Sequence, residues 1–470
     1  MIDSNIAIIN DDKSISFSEL SKTVNRTAQY YFDNGVRSKS LIAILANNSL
    51  EYVITVFSLW KVGASPVPIN TRLNEVEINH IVKSSGCSIL IVDNNYSEAI
   101  SGFKTIEMQI KYEGTEYTDK HEISGDDNAV IIHTSGSSGF PKGVMITNNN
   151  LYQSYLSTTD AFNFSNKDVF LASLPFYHIG GFAIISRALL SGGVLVTPKS
   201  LKQNDIVAAM AKFNPSVISL VPTMLQRIIG DGVNPNTNLR LLFLGGGPSS
   251  DDLIHSSLDK GWPIVKVYGS SETTAMVTGS WGENLKLHPA SGGKPFSNVE
   301  IRILDEFKNI VIANVVGEIA IKGESVASGY INNSKLWKEK IHNGFYLTGD
   351  YGYLDESNNL FVLSRRTDLI VSGGENIDPR EVENILCENR EISDSFVFPI
   401  PNPEWGQVPV ALVVLKKNSN LTVMNIKTYL RSVLASYKIP KTILIVNEIP
   451  KTELGKVNLE KAKELIKRKF

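Results

Sequence analysis

Residues Ala129 to Val144 read AVIIHTSGSSGFPKGV. The apolar run Ala129 to His133 predicts a buried strand, and it stops abruptly at Thr134-Ser135-Gly136-Ser137-Ser138-Gly139-Phe140-Pro141-Lys142-Gly143. Those ten residues hold three glycines, four hydroxyls and one lysine. Glycine lets successive backbone N–H groups turn toward one point, hydroxyls add donors, and the lysine adds a positive charge. A loop of this kind is suited to cradle phosphate. It is not a Walker A loop, because no glycine precedes Lys142 and no Ser or Thr follows it. The alternative is a surface linker, but linkers seldom leave directly from a buried strand or end in Pro-Lys-Gly.

Around this loop, strands alternate with helices. Helical spacing at Phe17 to Gly35, Leu50 to Lys61 and Asn74 to Ser84 alternates with apolar runs at Leu41 to Leu45, Ala64 to Pro68 and Ser88 to Val92. After the loop, Val169 to Leu174 and Val194 to Thr197 flank a helical Phe182 to Leu190, and further short strands are expected at Ser216 to Leu220, Leu241 to Gly245 and Pro263 to Val267. This alternation predicts a parallel sheet covered by helices. Gly317 to Val371 is richer in Gly and Asp turns, with short strands at Gly317 to Lys322 and Leu360 to Leu363. Beyond Arg365 a small α+β pattern takes over. It has helices at Pro379 to Cys387 and Thr422 to Ala435, and strands at Asp394 to Phe398, Val410 to Leu415 and Thr442 to Val446. The fold expected is α/β, with a large multi-sheet N-terminal domain over 1–365 and a small α+β C-terminal domain over 366–470.

Composition narrows the function classes. A chain of 470 residues exceeds one ordinary core. The net charge of −2 points to neither nucleic acid nor an anionic membrane as partner. Cys87 and Cys387, the two cysteines, both lie in apolar runs and read as small buried hydrophobes, which fits a reducing compartment. The start, MIDSNIAIINDDKS, lacks the basic-then-apolar pattern of a signal peptide. No apolar run approaches the ~20 residues of a membrane span. A cytoplasmic protein without membrane insertion is expected, as monomer or homo-oligomer.

Several loops carry residues suited to a nucleotide. Tyr268-Gly269-Ser270-Ser271-Glu272-Thr273-Thr274 follows a short apolar strand, and open α/β sheets bind ligands at strand carboxyl ends. Glu272 suits Mg2+, which takes carboxylate oxygen together with waters and nucleotide phosphates. It suits equally a capping role in a Ser-rich turn. Gly245-Gly246-Gly247-Pro248 allows close approach to a flat ring, or forms a plain turn. Asp350, in Thr348-Gly349-Asp350, is the residue type that accepts from ribose hydroxyls. His178 lies in Leu174-Pro175-Phe176-Tyr177-His178-Ile179-Gly180-Gly181, and fits either a core or a substrate site. Arg187 lies in the apolar helical run Phe-Ala-Ile-Ile-Ser-Arg-Ala-Leu-Leu, where an arginine needs an anion. An internal ion pair and a bound carboxylate both meet that need.

The ordered set TSGSSGFPKG, LGGGP, YGSSETT, TGD, SGGEN and PKTELGK resembles the adenylate-forming enzymes, which include acyl- and aryl-CoA ligases, luciferases and carrier-protein-loading adenylation domains. The likeness spans nearly the whole chain. It implies ATP, Mg2+ and CoA as cofactors, and a small-molecule carboxylic acid as substrate. It places Thr134, Ser135, Gly136, Ser137, Ser138, Gly139 and Lys142 on the phosphates, Glu272 on Mg2+ and Thr273 on the α-phosphate. It puts Gly245, Gly246, Gly247, Pro248 and Tyr268 around adenine with Gly269 and Ser270 beside them, and on ribose Asp350 with Arg365, a place that Arg366 beside it could also take. His178 becomes the gate to the acid, with Ser271 lining its pocket. Thr367 takes the hinge position, where Asp or Lys is common in the family. Gly373 and Gly374 approach the CoA thiol, and Lys456 becomes the adenylation lysine. The spacing of nine from His178 to Arg187 is similar to that of the o-succinylbenzoate–CoA ligases of menaquinone synthesis. Ser271 departs from their usual Thr. Another aryl- or acyl-acid ligase, a carrier-protein-loading enzyme and a non-catalytic nucleotide-binding protein are the alternatives.

Overall fold

The structure, a computed structural model, describes residues 5–11, 13–96, 102–119, 122–134, 141–247, 249–364, 370–417, 419–450 and 457–468. The chain divides into two compact units. The first comprises Met1–Thr71, Ile81–His133 and Gly143–Arg365, and the second Arg72–His80, Thr134–Lys142 and Arg366–Phe470.

The main sheet of the first unit contains six parallel strands, in spatial order Ile6–Ile9, Val194–Val196, Val169–Leu171, Val217–Leu220, Leu241–Leu244 and Ile264–Ser270. Antiparallel strands close it, Ser14–Ser16 at one edge and Ala275–Ser280 with Lys294–Pro295 at the other. Successive residues of a strand face opposite sides. Leu241 and Phe243 therefore enter one apolar cluster with Phe170, Phe176 and Phe182, while Leu242 and Leu244 enter another with Leu171, Ile218 and Trp262. Burial on both faces explains why these strands read as unbroken apolar runs. A second, wholly parallel sheet orders Ser65–Pro68, Leu41–Leu45, Ile89–Val92 and Lys104–Glu107. The helix Leu50–Val62 between its strands starts where the Ser49 hydroxyl accepts from the Tyr52 N–H, and stops at left-handed Gly63.

Two further sheets shape the site. Val299–Leu304, Gly317–Gly323 and Phe345–Leu354 form an antiparallel sheet, to which Ile341–His342 and Leu360–Ser364 add. Thr348-Gly349-Asp350 reads as a turn in the sequence, yet it lies inside the ten-residue strand Phe345–Leu354. Gly349 adopts φ of 76°, and the strand's pairing shifts register on both sides, so the extra twist is absorbed without a chain reversal. A small sheet joins Gly329–Tyr330, Lys142–Thr147 and Asn128–Thr134.

In the second unit a hairpin pairs Ile370–Ser372 with Glu375–Ile377. Its two-residue turn, Gly373–Gly374, has φ of 58° and 88°, the left-handed pair that a tight hairpin requires. The longer strands Ile392–Asn402 and Gly406–Leu415 pair antiparallel, and Thr442–Val446 adds in parallel. Buried Lys438 places its Nζ 2.7 Å from Glu77 Oε1 and 2.8 Å from Glu381 Oε1. The two carboxylates hold its ammonium charged against the opposing effect of burial. Cys387 corrects the sequence reading: it is exposed, because Val382 and Leu386 take the buried side of the helix Pro379–Glu388. Cys87 is buried as expected. Among the described residues no helix is long and apolar enough to cross a membrane.

Candidate active site

Two neighbouring parallel strands end together. Leu241–Leu244 and Ile264–Ser270 run side by side with Leu244 opposite Lys266, so Gly245–Gly247 and Tyr268–Ser270 leave the same edge of the sheet. Gly246 has φ of 78°, a backbone state that side chains resist. A Cβ on Gly269 would lie 1.7 Å from the Ala275 carbonyl oxygen, so only glycine fits where the returning strand Ala275–Ser280 crosses.

Tyr268 and Asp350 meet across this edge. The Tyr268 hydroxyl donates to Asp350 Oδ2 at 2.6 Å. Asp350 is itself fixed: its N–H donates to Thr348 Oγ1 at 3.0 Å, and that hydroxyl donates to the Ile319 carbonyl at 2.8 Å. One aromatic ring and one oriented carboxylate thus stand beside the glycine loop, as a nucleoside requires. Tyr268→Phe should raise the KM for ATP roughly ten-fold or more, the loss of one hydrogen bond to a charged group. Steady-state kinetics at saturating acid check this, and an unchanged KM would show that Asp350 needs no such support.

The turn after Ser270 is a single 3-10 turn, Ser271–Thr273. Thr273 is fully buried. Its hydroxyl accepts from the Ser270 N–H at 2.9 Å, and its proton faces the Ser270 and Ala275 carbonyl oxygens at 3.2 and 3.1 Å. The Thr273 hydroxyl, expected on an α-phosphate, is here engaged in shaping the turn. Ser271 is only partly buried and makes no side-chain hydrogen bond among the described residues, so it is the hydroxyl the turn leaves available. Buried Ser270 Oγ is likewise without a partner among them.

Glu272 is buried, and its Oε1 accepts from the Tyr330 hydroxyl at 2.8 Å. No cluster of three or more His, Cys, Asp or Glu suited to a metal occurs among the described residues. A single carboxylate fits Mg2+, which needs few protein ligands when nucleotide phosphates and water complete its shell. It does not fit a metal that demands a full protein cage.

On the acid side, Leu174 to Phe176 is held by Asn48, whose amide donates to the Leu174 carbonyl at 2.8 Å and accepts from the Phe176 N–H at 2.9 Å. That clamp was not legible in the sequence. It delivers His178 to the N-terminus of the helix Ile179–Leu190, where the ring packs on Tyr177 at 4.8 Å. Nine residues on, Arg187 is 3% exposed. Its Nε and Nη2 have no hydrogen-bond partner among the described residues, and the guanidinium carbon lies 5.8 Å from the Phe243 ring, two residues before Gly245. Burial pulls its pKa down to about 10. Among the described residues no internal ion pair answers it.

Of the remaining expected residues, Thr134 ends one strand and buried Lys142 begins the next, on either side of the phosphate loop. Gly373 donates its N–H to the Trp405 carbonyl at 2.9 Å, and a Cβ there would lie 2.5 Å from the Trp405 ring. Ser135, Gly136, Ser137, Ser138, Gly139, Pro248, Arg365, Thr367 and Lys456 lie outside the described residues.

The chain is similar to known enzymes. The family model described as AMP-binding enzyme matches residues 3–331, and its companion, the AMP-binding enzyme C-terminal domain, matches 381–456. A 2-succinylbenzoate–CoA ligase of Geobacillus is 32% identical over 98% of this chain and 94% of its own. A solved double mutant of the o-succinylbenzoate–CoA synthetase of Bacillus subtilis, bound to the product analogue OSB-NCoA, superimposes with a TM-score of 0.91 at 30% identity, covering 98% of this chain and 96% of that one. The same Bacillus protein in complex with ATP and magnesium ion gives a TM-score of 0.73 at 29% identity, over 96% of this chain and 95% of that one.

Proposed function

The chain belongs to the AMP-binding enzymes, and from that premise we propose that it is a 2-succinylbenzoate–CoA ligase of menaquinone synthesis, an AMP-forming acid–thiol ligase. The observation that carries the choice of acid is Arg187, a buried cation without a hydrogen-bond partner for Nε and Nη2 among the described residues. A benzoate bearing a second carboxylate brings the missing anion with it.

The first half-reaction joins a carboxylate oxygen of the acid to the α-phosphorus of ATP, and breaks the bond to the β-phosphate to release pyrophosphate. In the second, the CoA sulfur attacks the acyl carbon and AMP leaves. Little covalent work falls to the protein, so catalysis is positioning and charge stabilisation. Thr134 to Gly139 and Lys142 hold the phosphates. Ser271, rather than Thr273, meets the α-phosphate. Gly245–Gly247, Pro248 and Tyr268 enclose adenine, and Asp350 and Arg365 hold ribose. Glu272 holds Mg2+, which when bound neutralises phosphate charge. His178 guards the reacting carboxylate, Lys456 supplies positive charge to the first half-reaction, and Gly373 and Gly374 serve the thiol in the second. With ATP and CoA as co-substrates, the cytoplasm is the expected compartment.

The test is pyrophosphate release and CoA-thioester formation over a panel of aromatic, dicarboxylic and fatty acids. The expected result is highest kcat/KM with 2-succinylbenzoate and thioester formed on free CoA. Faster turnover of a monocarboxylic acid would assign another acid. Thioester formed only on a carrier-protein thiol would assign a loading enzyme. Nucleotide binding without pyrophosphate from any acid would assign a binding protein.

A further inference from the structure

The hydroxyl that meets Glu272 belongs to Tyr330, a residue 2% exposed. Tyr330 lies in Gly329–Tyr330, which pairs antiparallel with Met145 and Val144 on the strand leaving the phosphate loop. The Ile331 N–H donates to the Gly143 carbonyl at 2.8 Å, and the Ser328 N–H to the Met145 carbonyl at 3.0 Å. The same segment is tied to the metal turn by its backbone. The Ala327 N–H donates to the Glu272 carbonyl at 2.9 Å, and Thr274 Oγ1 donates to the Ser325 carbonyl at 2.6 Å. The phenol ring is stopped edge-on by Trp337 at 5.1 Å. Trp337 stacks in turn on Tyr346 at 5.4 Å, four residues before Asp350 on one strand. Ring and hydroxyl are therefore fixed from both ends.

From this arrangement we propose that Tyr330 is the positioning residue for the metal-holding carboxylate, a role that rests on the reading of Glu272 given above. Mg2+ accepts little deviation from octahedral geometry at about 2.0–2.1 Å, so a lone carboxylate must be presented in one orientation. A carboxylate oxygen has room for more than one partner. By donating to Oε1, Tyr330 stops the carboxylate rotating and leaves its remaining lone pairs for the cation. Such outer-shell donors typically change metal affinity 10- to 100-fold when removed.

The test is Tyr330→Phe, which keeps the ring against Trp337 and removes only the hydroxyl. Mn2+ binding to the enzyme carrying a non-hydrolysable ATP analogue is followed by electron paramagnetic resonance, and Mg2+ dependence of adenylate formation is measured alongside. The expected result is about a ten-fold weaker metal constant in both measurements, with kcat recovering at high Mg2+ and the KM for the acid unchanged. Unchanged metal binding, or a kcat equally depressed at every Mg2+ concentration, would overturn the proposal. Trp337→Leu leaves the hydroxyl but removes its backing, so it should weaken the metal constant two- to three-fold by roughly the same route. If Tyr330→Phe does not fold, this second variant decides, and no change in its metal constant counts against the role. The Mn2+ titration needs no acid substrate, so it stands even if the acid is misassigned. Absence of nucleotide-dependent Mn2+ binding by the wild-type protein would instead sink the reading of Glu272.

Discussion

Replacing Lys456 by alanine is expected to slow adenylate formation about 10²-fold or more, the loss that follows removal of one preorganised charge donor. The lysine is the last residue matched by the family's C-terminal domain model. It follows glycine in Pro450-Lys451-Thr452-Glu453-Leu454-Gly455-Lys456. A carboxylate attacking an α-phosphoryl group brings two anions together, and the transition state spreads that charge over non-bridging oxygens. A cation placed there stabilises the transition state more than the ground state, so its loss appears in kcat. The second half-reaction begins with the acyl-adenylate already formed, and its leaving group is AMP. Thioester formation from supplied acyl-adenylate should therefore survive in Lys456→Ala. The two rates are measured separately, pyrophosphate release for the first and consumption of the CoA thiol for the second. An equal fall in both would show that the lysine serves a step common to them, or that the variant is misfolded.

The elements best read from sequence were those whose burial is one-sided or complete. Leu41–Leu45 and Thr442–Val446 have the predicted bounds, because unbroken apolar runs flanked by turn residues admit few other readings. The Gly373–Gly374 turn was not read as one from the sequence, although paired glycines permit the backbone that a tight hairpin needs. Phe345–Leu354 was hidden, since the Thr-Gly-Asp at its centre has turn chemistry but sits in a sheet that accommodates it. At the site, the sequence located the loops but could not rank the hydroxyls within them. Four of the seven residues in Tyr268-Gly269-Ser270-Ser271-Glu272-Thr273-Thr274 are Ser or Thr. Only the three-dimensional bonding shows Thr273 turned onto its own backbone and Ser271 left available. Tyr330 was invisible for the same reason. Its partner Glu272 is 58 residues away, and no local pattern distinguishes a phenol that supports a carboxylate from one that fills a core.

Arg187→Met is expected to raise the KM for 2-succinylbenzoate roughly 10- to 100-fold, the loss of a charge-assisted contact, and to leave benzoate nearly unaffected. The argument runs through the free enzyme. Arg187 is buried on an apolar helix, with Phe243 as its ring contact and no hydrogen-bond partner for Nε or Nη2 among the described residues. Burial alone pulls its pKa down to about 10. A cation whose pKa falls on folding opposes the fold at neutral pH, and that opposition eases only as the pH rises past about 10 toward the ordinary arginine value. An unpaired buried charge costs several kcal/mol, and methionine removes it while keeping a flexible apolar stem of similar reach. The free variant should therefore melt at the same temperature as the wild type or higher, although its substrate binding is impaired. Adding 2-succinylbenzoate should raise the melting temperature of the wild type, where the second carboxylate pairs with the guanidinium, and should barely move that of the variant. An internal structural role predicts the opposite on every count: a lower melting temperature, a general loss of activity, and no change in the ratio of kcat/KM between mono- and dicarboxylic acids. Calorimetry of both proteins with and without the acid, beside kinetics on the two substrates, separates these outcomes. A stable variant with unaltered preference would remove the reason for assigning a dicarboxylic acid to this pocket.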